Sequence, residues 1–328
     1  MIIDRAARLR AHRGVRRLVQ ETSFSVQHLI APLFVMEGIC TPQPIASMPG
    51  VEHVPLDCVV EAIGRWRNVG IGAVLVFGVP DQKTSDAAHA CSEQGIVQQA
   101  VRAIKHAFPD VYVITDTCVC SYTDHGHCGV IHEGHGDVRL DHAASCAMHA
   151  AVAVAQARAG ADCVAPSSMV DGVVAAIREA LDVHGFGHVP ILSYAVKYAS
   201  ALYGPFRDAA HATPQSGSNR STYQMDCANA REAVREAQAD VAQGADWLIV
   251  KPATLYVDVI RTLREHVPHP IVAYHVSGEY SMIKAATERG WVHERDVVME
   301  TMMALRRAGA DAIITYYAPH IAAWLHNP

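Results

Sequence analysis

Long apolar runs are missing from this chain. None approaches the roughly 18 residues that a membrane-spanning helix requires, so the sequence offers no membrane role. The amino terminus lacks the apolar core of a secretion signal, and the nine cysteines therefore read as thiols of a reducing cytosol, not as a disulfide scaffold. Excess positive charge is also missing: a net charge of −6 gives no electrostatic case for nucleic acid. No low-complexity segment or proline-rich linker divides the 328 residues, a length that suits one large α/β barrel. Lysine is scarce, with five residues against 22 arginines, which makes each lysine's position informative.

What is present in quantity is apolar sequence, 50% of the chain, enough for a large core. Eight β-branched apolar runs recur at 29–35, 73–77, 111–115, 162–165, 190–194, 247–250, 271–275 and 312–316. Amphipathic stretches rich in Ala, Arg and Glu lie between most of them, as at 143–159, 170–181, 230–242 and 281–289, and these read as helices. The tripeptide Gly-Ala-Asp occurs at 160–162, 244–246 and 309–311, where a helix should end and a strand begin, which suits a glycine that closes each helix. Eight strands alternating with helices predict a parallel sheet closed into a (β/α)8 TIM barrel. An open doubly wound sheet is the alternative, weakened because no strand runs into a glycine-rich phosphate fingerprint. The expected organisation is an arm over 1–28, holding six of the arginines, then a single catalytic barrel over 29–328.

In such a barrel the chemistry belongs at the carboxyl ends of the strands. The third strand runs into Asp116 and a cysteine cluster, Cys118, Cys120 and Cys128, within eleven residues. Three thiolates favour zinc and leave a fourth position open, as catalytic sites do. A disulfide between Cys118 and Cys120 would be strained, and inert buried thiols are the other alternative. The fourth strand leads to Ser167 and Ser168, the fifth to Lys197, the sixth to Lys251, the seventh to Ser277 and Glu279, and the eighth to Tyr316 and Tyr317. Two of five lysines thus end neighbouring strands. Desolvation and mutual repulsion would keep such lysines partly neutral, able to form a Schiff base with a ketone. The longest connection, about 198–228, has the length of an active-site lid and carries Tyr203, Phe206, Arg207, Arg220, Tyr223 and Gln224. Its arginines suit a substrate carboxylate.

These residues lie in segments that resemble the porphobilinogen synthase family, also called 5-aminolevulinate dehydratase, over nearly the whole chain. The matching segments are LIAPLFVMEG at 29–38, SMPGV at 47–51, the cysteine-rich run at 116–130, GADCVAPSSMVDG at 160–172 and SYAVKYASALYGPFRDA at 193–209. They continue with YQMD at 223–226, GADWLIVKP at 244–252, AYHVSGEY at 273–280 and RAGADAIITYY at 307–317.

The resemblance implies condensation of two 5-aminolevulinate molecules to porphobilinogen for tetrapyrrole synthesis. It implies that Lys251 forms the Schiff base at the A side and Lys197 at the P side. Arg207, Arg220 and Gln224 would hold the A-side carboxylate, Ser277 and Tyr316 the P-side one, and Tyr203 and Phe206 would form aromatic walls. Cys118, Cys120 and Cys128 match the ligands of a catalytic zinc, and Asp116 and Ser167 match polar neighbours of the reacting amines, Asp116 as a proton-transfer group. Glu236 matches the glutamate of family members that bind an allosteric magnesium, and the arginine-rich arm matches one that embraces a neighbour in a homo-octamer. Ser221, Asn219, Ser168 and Val173 depart from the usual residues. A class I Schiff-base aldolase on the same barrel, needing one lysine, is the second enzymatic reading; a zinc-binding interaction or storage protein is a third.

Overall fold

A computed structural model describes residues 5–132, 138–214 and 220–326. Asn219 and the soft segment 216–219 of the expected lid lie outside the described residues.

Ten strands form in chain order: β1 (Leu29–Met36), β2 (Gln43–Pro44), β3 (Glu52–Pro55), β4 (Ala73–Val79), β5 (Tyr112–Thr117), β6 (Cys163–Pro166), β7 (Leu192–Lys197), β8 (Trp247–Lys251), β9 (Ile271–His275) and β10 (Ala312–Thr315). Eight of them pair in parallel in the order β6-β5-β4-β1-β10-β9-β8-β7. A parallel bridge between Val164 and Ile191 joins the two ends and closes the ring. The expected barrel is therefore present. Its strands carry continuous apolar runs because both faces are covered, as parallel sheets require. The short β2–β3 pair, which the pattern of apolar runs did not disclose, is an antiparallel ribbon added outside β1.

The helices are α1 (Arg13–Leu18), α2 (Val59–Asn68), α3 (Ile96–Ala107), α4 (His142–Ala159), α5 (Val173–Val183), α6 (Gly204–Ala209), α7 (Arg231–Ala242), α8 (Val257–His266), α9 (Ser277–Glu288), α10 (Glu294–Ala308) and α11 (Ala318–His326). Helix α3 shows the usual logic: Ile96, Val97, Ala100, Val101 and Ile104 form one buried stripe. Helix α9 starts four residues before its expected beginning, because Glu279 accepts the Val276 amide at 2.6 Å and so caps the first turn.

The Gly-Ala-Asp repeats do more than end helices. Gly160, Gly244 and Gly309 have φ of +102°, +104° and +125°, the left-handed side that glycine tolerates. Each following aspartate then clamps one residue of the adjacent strand at two points. Asp246 donates its amide to Ile191 O at 3.0 Å while its Oδ2 accepts the Ile191 amide at 2.7 Å. Asp162 does the same to Val113, and Asp311 to Ile271. One repeated tripeptide thus sets the register of three strand pairs and, through it, the positions of the side chains at the opposite rim.

The described chain begins with a 3-10 turn at Ala6–Leu9 and α1, neither of which buries a side chain. Leu9, Leu18 and Val19 are exposed there. Among the described residues no helix is long and apolar enough to cross a membrane.

Candidate active site

Lys197 and Lys251 end β7 and β8 and face each other as register partners. Each is only 4% exposed, although neither has a carboxylate ion-pair partner among the described residues. Lys197 donates to the backbone carbonyl of Ser167. Lys251 lies in an aromatic box, its Nζ 4.4 Å from the ring centre of Tyr274, 4.8 Å from Phe206, 5.1 Å from Tyr194 and 5.3 Å from Tyr203. Burial, followed by repulsion from Lys197, pulls its ammonium down to about 7. An ordinary lysine is neutral only about once in a few thousand molecules at that pH, so the environment raises the reactive fraction by roughly three orders of magnitude.

Tyr194 and Tyr274 were not among the expected site residues. Side chains alternate along a strand, so Tyr194 and Lys197, three apart, should point to opposite faces. In β7, however, three steps from Ser193 to Val196 match two steps of β8 from Leu248 to Val250. The extra residue realigns the strand, and Lys197 Nζ lies 5.6 Å from the Tyr194 ring centre. A tyrosine inside an apolar strand just ahead of a lysine was the available signal.

Asp116 lies near the end of β5. Its Oδ1 is sealed from solvent without a hydrogen-bond partner among the described residues, and burial lifts the carboxyl to about 6 against the pull of Lys251, Lys197 and the Ser167 hydroxyl. The site therefore holds a carboxyl and an amine that both exchange protons near neutrality.

Cys118, Cys120 and Cys128 are buried, and their Sγ atoms all lie within 4.8 Å of one another. Cys118 and Cys120 Sγ are 3.5 Å apart. Sulfurs on a tetrahedral zinc with bonds of about 2.3 Å lie about 3.8 Å apart, so the donor set fits that ion in softness and spacing. Hydrogen bonds from the other two thiols, with Arg220 and Lys197 nearby, hold the Cys128 thiol well below the ordinary range. Among the described residues no other group of three ligating side chains is this close.

Helix α4 braces this rim from behind through three polar residues that sequence reasoning missed. Gln156 donates to Asp116 O at 2.9 Å, His149 Nε2 meets Cys128 O at 2.8 Å, and Ser145 Oγ accepts the Val130 amide at 3.0 Å. They lie at 145, 149 and 156, the spacing of one helix face, and polar residues on such an apolar helix were the sign that something beyond packing was being served.

The connection between β7 and β8 brings Arg207, Arg220 and Gln224 to the same mouth. Arg220 and Gln224 are both 4% exposed. Arg207 Nε, Arg220 Nε and both amide atoms of Gln224 are sealed without hydrogen-bond partners among the described residues. Burial and the nearby Arg220 lower the Arg207 guanidinium from its ordinary value. Two close guanidiniums and an unsatisfied amide without a carboxylate among the described residues are an arrangement that can hold an anion. Tyr203 donates its hydroxyl to Tyr198 O at 2.8 Å and Lys251 O at 3.1 Å, fixing its ring in the box. Phe206 packs 5.2 Å from Phe77 and 5.8 Å from Phe34.

Ser277 opens α9 and accepts the Phe206 amide at 2.9 Å. Tyr316 stands just beyond β10, its hydroxyl 3.1 Å from that of Tyr274. Both are buried. Glu236 is apart from all of these. It lies on α7 beside Arg235 at 3.4 Å, lining a cavity of about 340 Å³ with Asp171 and Asp240, and burial raises its carboxyl. Of the departures, Ser168 is buried with its hydroxyl unpartnered among the described residues, Val173 begins α5 inside the core, and Ser221 is exposed.

With this geometry in view, comparison with known proteins is specific. The delta-aminolevulinic acid dehydratase family profile matches residues 3–324. The delta-aminolevulinic acid dehydratase of Halalkalibacterium halodurans is 52% identical over all of this chain and 98% of its own length. That of Bacillus subtilis is 50% identical over 98% of each. The crystal structure of the Toxoplasma gondii ME49 enzyme, in complex with the reaction product porphobilinogen, superposes with a TM-score of 0.95 at 45% identity, covering 98% of this chain and 92% of that one. Sequence, fold and the two-lysine rim agree: the chain belongs to the delta-aminolevulinic acid dehydratase family.

Proposed function

We propose that this chain condenses two molecules of 5-aminolevulinate into porphobilinogen with loss of two waters, a hydro-lyase step of tetrapyrrole synthesis, with Lys251 and Lys197 as the two Schiff-base amines. The observation that carries this reading is the facing lysine pair without carboxylate ion-pair partners among the described residues, one member poised near neutrality. Neutral Lys251 Nζ can add to the C4 ketone of the A-side substrate, and expulsion of water leaves the imine. Lys197, tied to Ser167 O, is placed to do the same for the P-side substrate. Asp116, half-protonated near pH 6, can take and return protons as carbinolamines form and collapse and as carbon–hydrogen bonds break. Arg207, Arg220 and Gln224 bind the A-side carboxylate; Ser277, at the amino end of α9, and Tyr316 bind the P-side one. Tyr203 and Phe206 exclude water from the Lys251 imine. Zinc held by Cys118, Cys120 and Cys128 would supply a Lewis acid beside the A-side substrate.

A colorimetric pyrrole assay tests the reading. Wild type should turn 5-aminolevulinate into pyrrole, and Lys251→Ala and Lys197→Ala should each be inactive. Full activity in either variant would leave at most one Schiff base, and a wild type that forms no pyrrole would favour the aldolase chemistry.

The exposed Leu9, Leu18 and Val19 support an arm that docks on a second copy of the chain in a homo-octamer. Light scattering of wild type and of a chain lacking residues 1–28 would show whether the assembly depends on the arm. The raised Glu236 carboxyl, near Asp171 and Glu232, supports a magnesium site that regulates activity. Loss of magnesium activation in Glu236→Gln, with zinc-dependent activity retained, is the expected result.

A further inference from the structure

The segment on which the lid returns to the barrel and the loop that carries the cysteines grip one another. Arg220 Nη2 donates to Gly126 O at 2.8 Å and to Ala212 O, at the root of the lid, at 2.9 Å. The Tyr223 hydroxyl meets His127 Nδ1 at 3.0 Å, and their rings cross edge-on at 6.1 Å. Thr222 Oγ1 donates to Val138 O at 2.7 Å. Gly126, with φ of +73°, is approached so closely by the lid root that an added Cβ would stand 2.8 Å from Thr213 O. His127 is 2% exposed and directly precedes Cys128. Its amide bonds to His125 Nδ1 at 3.1 Å, and the two rings stack.

We propose that Tyr223 is a positioning residue that latches the lid to the cysteine loop through His127, so that lid closure and metal retention stabilise each other. This rests on the condensation and its zinc site as read above. The geometry is direct: any displacement of the lid return pulls on His127, and through one peptide bond on Cys128. Coupling of this kind is reciprocal, so a lid held closed slows loss of the metal, and a loaded loop favours the lid that binds the carboxylate. The Tyr223 ring is not needed for the coupling; its hydroxyl is.

The test uses zinc-loaded full-length protein and the rate of zinc transfer to a chromogenic chelator. Tyr223→Phe, which keeps the ring, should release zinc roughly three- to tenfold faster, the range expected for one lost hydrogen bond. Its KM for 5-aminolevulinate should rise by a comparable factor, with the loss falling on KM more than on kcat. In a His127→Leu background Tyr223→Phe should have no further effect, whereas His127→Gln, which keeps a polar partner, should release zinc more slowly than His127→Leu. Thermal unfolding identifies any variant whose loss is one of folding. Equal release rates for wild type and Tyr223→Phe, or a full Tyr223→Phe effect without His127, would overturn the latch while leaving the condensation intact. A release difference in a protein that makes no pyrrole would do the reverse.

Discussion

Lys197 and Lys251 are direct partners across the β7–β8 ladder, so the two amines that would each carry a substrate are held by one pair of neighbouring strands. The arrangement couples them electrostatically: burial is the first cause of the lowered Lys251 value and Lys197 the second. The neutral amine is the nucleophile, so imine formation at Lys251 should rise with pH through about 7. Lys197→Met removes the second cause but not the first and should move that midpoint upward, still short of an ordinary lysine. Borohydride trapping of 4-oxopentanoate on Lys251 across a pH series measures it; a midpoint unmoved by Lys197→Met would show that the two amines do not interact.

Removal of the metal should separate the two halves of the chemistry. Chelation should cut pyrrole formation by about 100-fold or more, equivalent to roughly 2.7 kcal/mol, while reductive trapping of 5-aminolevulinate on Lys197 continues. Full turnover after complete zinc removal, checked by elemental analysis, would take the cysteine cluster out of catalysis.

The lid arginines should differ in what they cost. Arg207→Ala removes one charged donor from the anion receptor and should raise KM about 10- to 100-fold, as loss of a charge-assisted bond does. Arg220→Ala should be worse, because it also frees Gly126 O and Ala212 O. Steady-state kinetics on the two variants gives the order, and an unchanged KM in both would place the carboxylate elsewhere.

The strand clamps carry the fold prediction. Asp246→Ala loses the bond between its carboxylate and the Ile191 amide beside the β7–β8 pair and should lower stability by about 1–3 kcal/mol in urea unfolding. Because that pair carries both lysines, activity should fall even where the variant is fully folded.

The features that a sequence discloses are the local ones. The eight strands were legible because parallel strands covered on both faces are apolar along their whole length, and the Gly-Ala-Asp repeats marked three of their starts. The strand ends gave Asp116, Lys197 and Lys251, and the structure brings these together with the cysteines and lid arginines. Tyr194 escaped because one extra residue in β7 breaks the alternation on which facing is judged. His149 and Gln156 escaped because the bonds by which they brace the cysteine loop and Asp116 go to backbone carbonyls, Cys128 O and Asp116 O, which leave no mark in a sequence. The contacts between lid and cysteine loop join residues about a hundred positions apart, and only the closed barrel brings them into reach.

The most direct measurement is peptide mapping by mass spectrometry after borohydride reduction of the zinc-loaded protein with 5-aminolevulinate. Reduced substrate adducts should appear on Lys197 and Lys251 and on none of Lys83, Lys105 and Lys284, with the Lys251 adduct lost in Lys251→Ala. Adducts on neither strand-end lysine, in protein that nevertheless forms the pyrrole, would contradict the account.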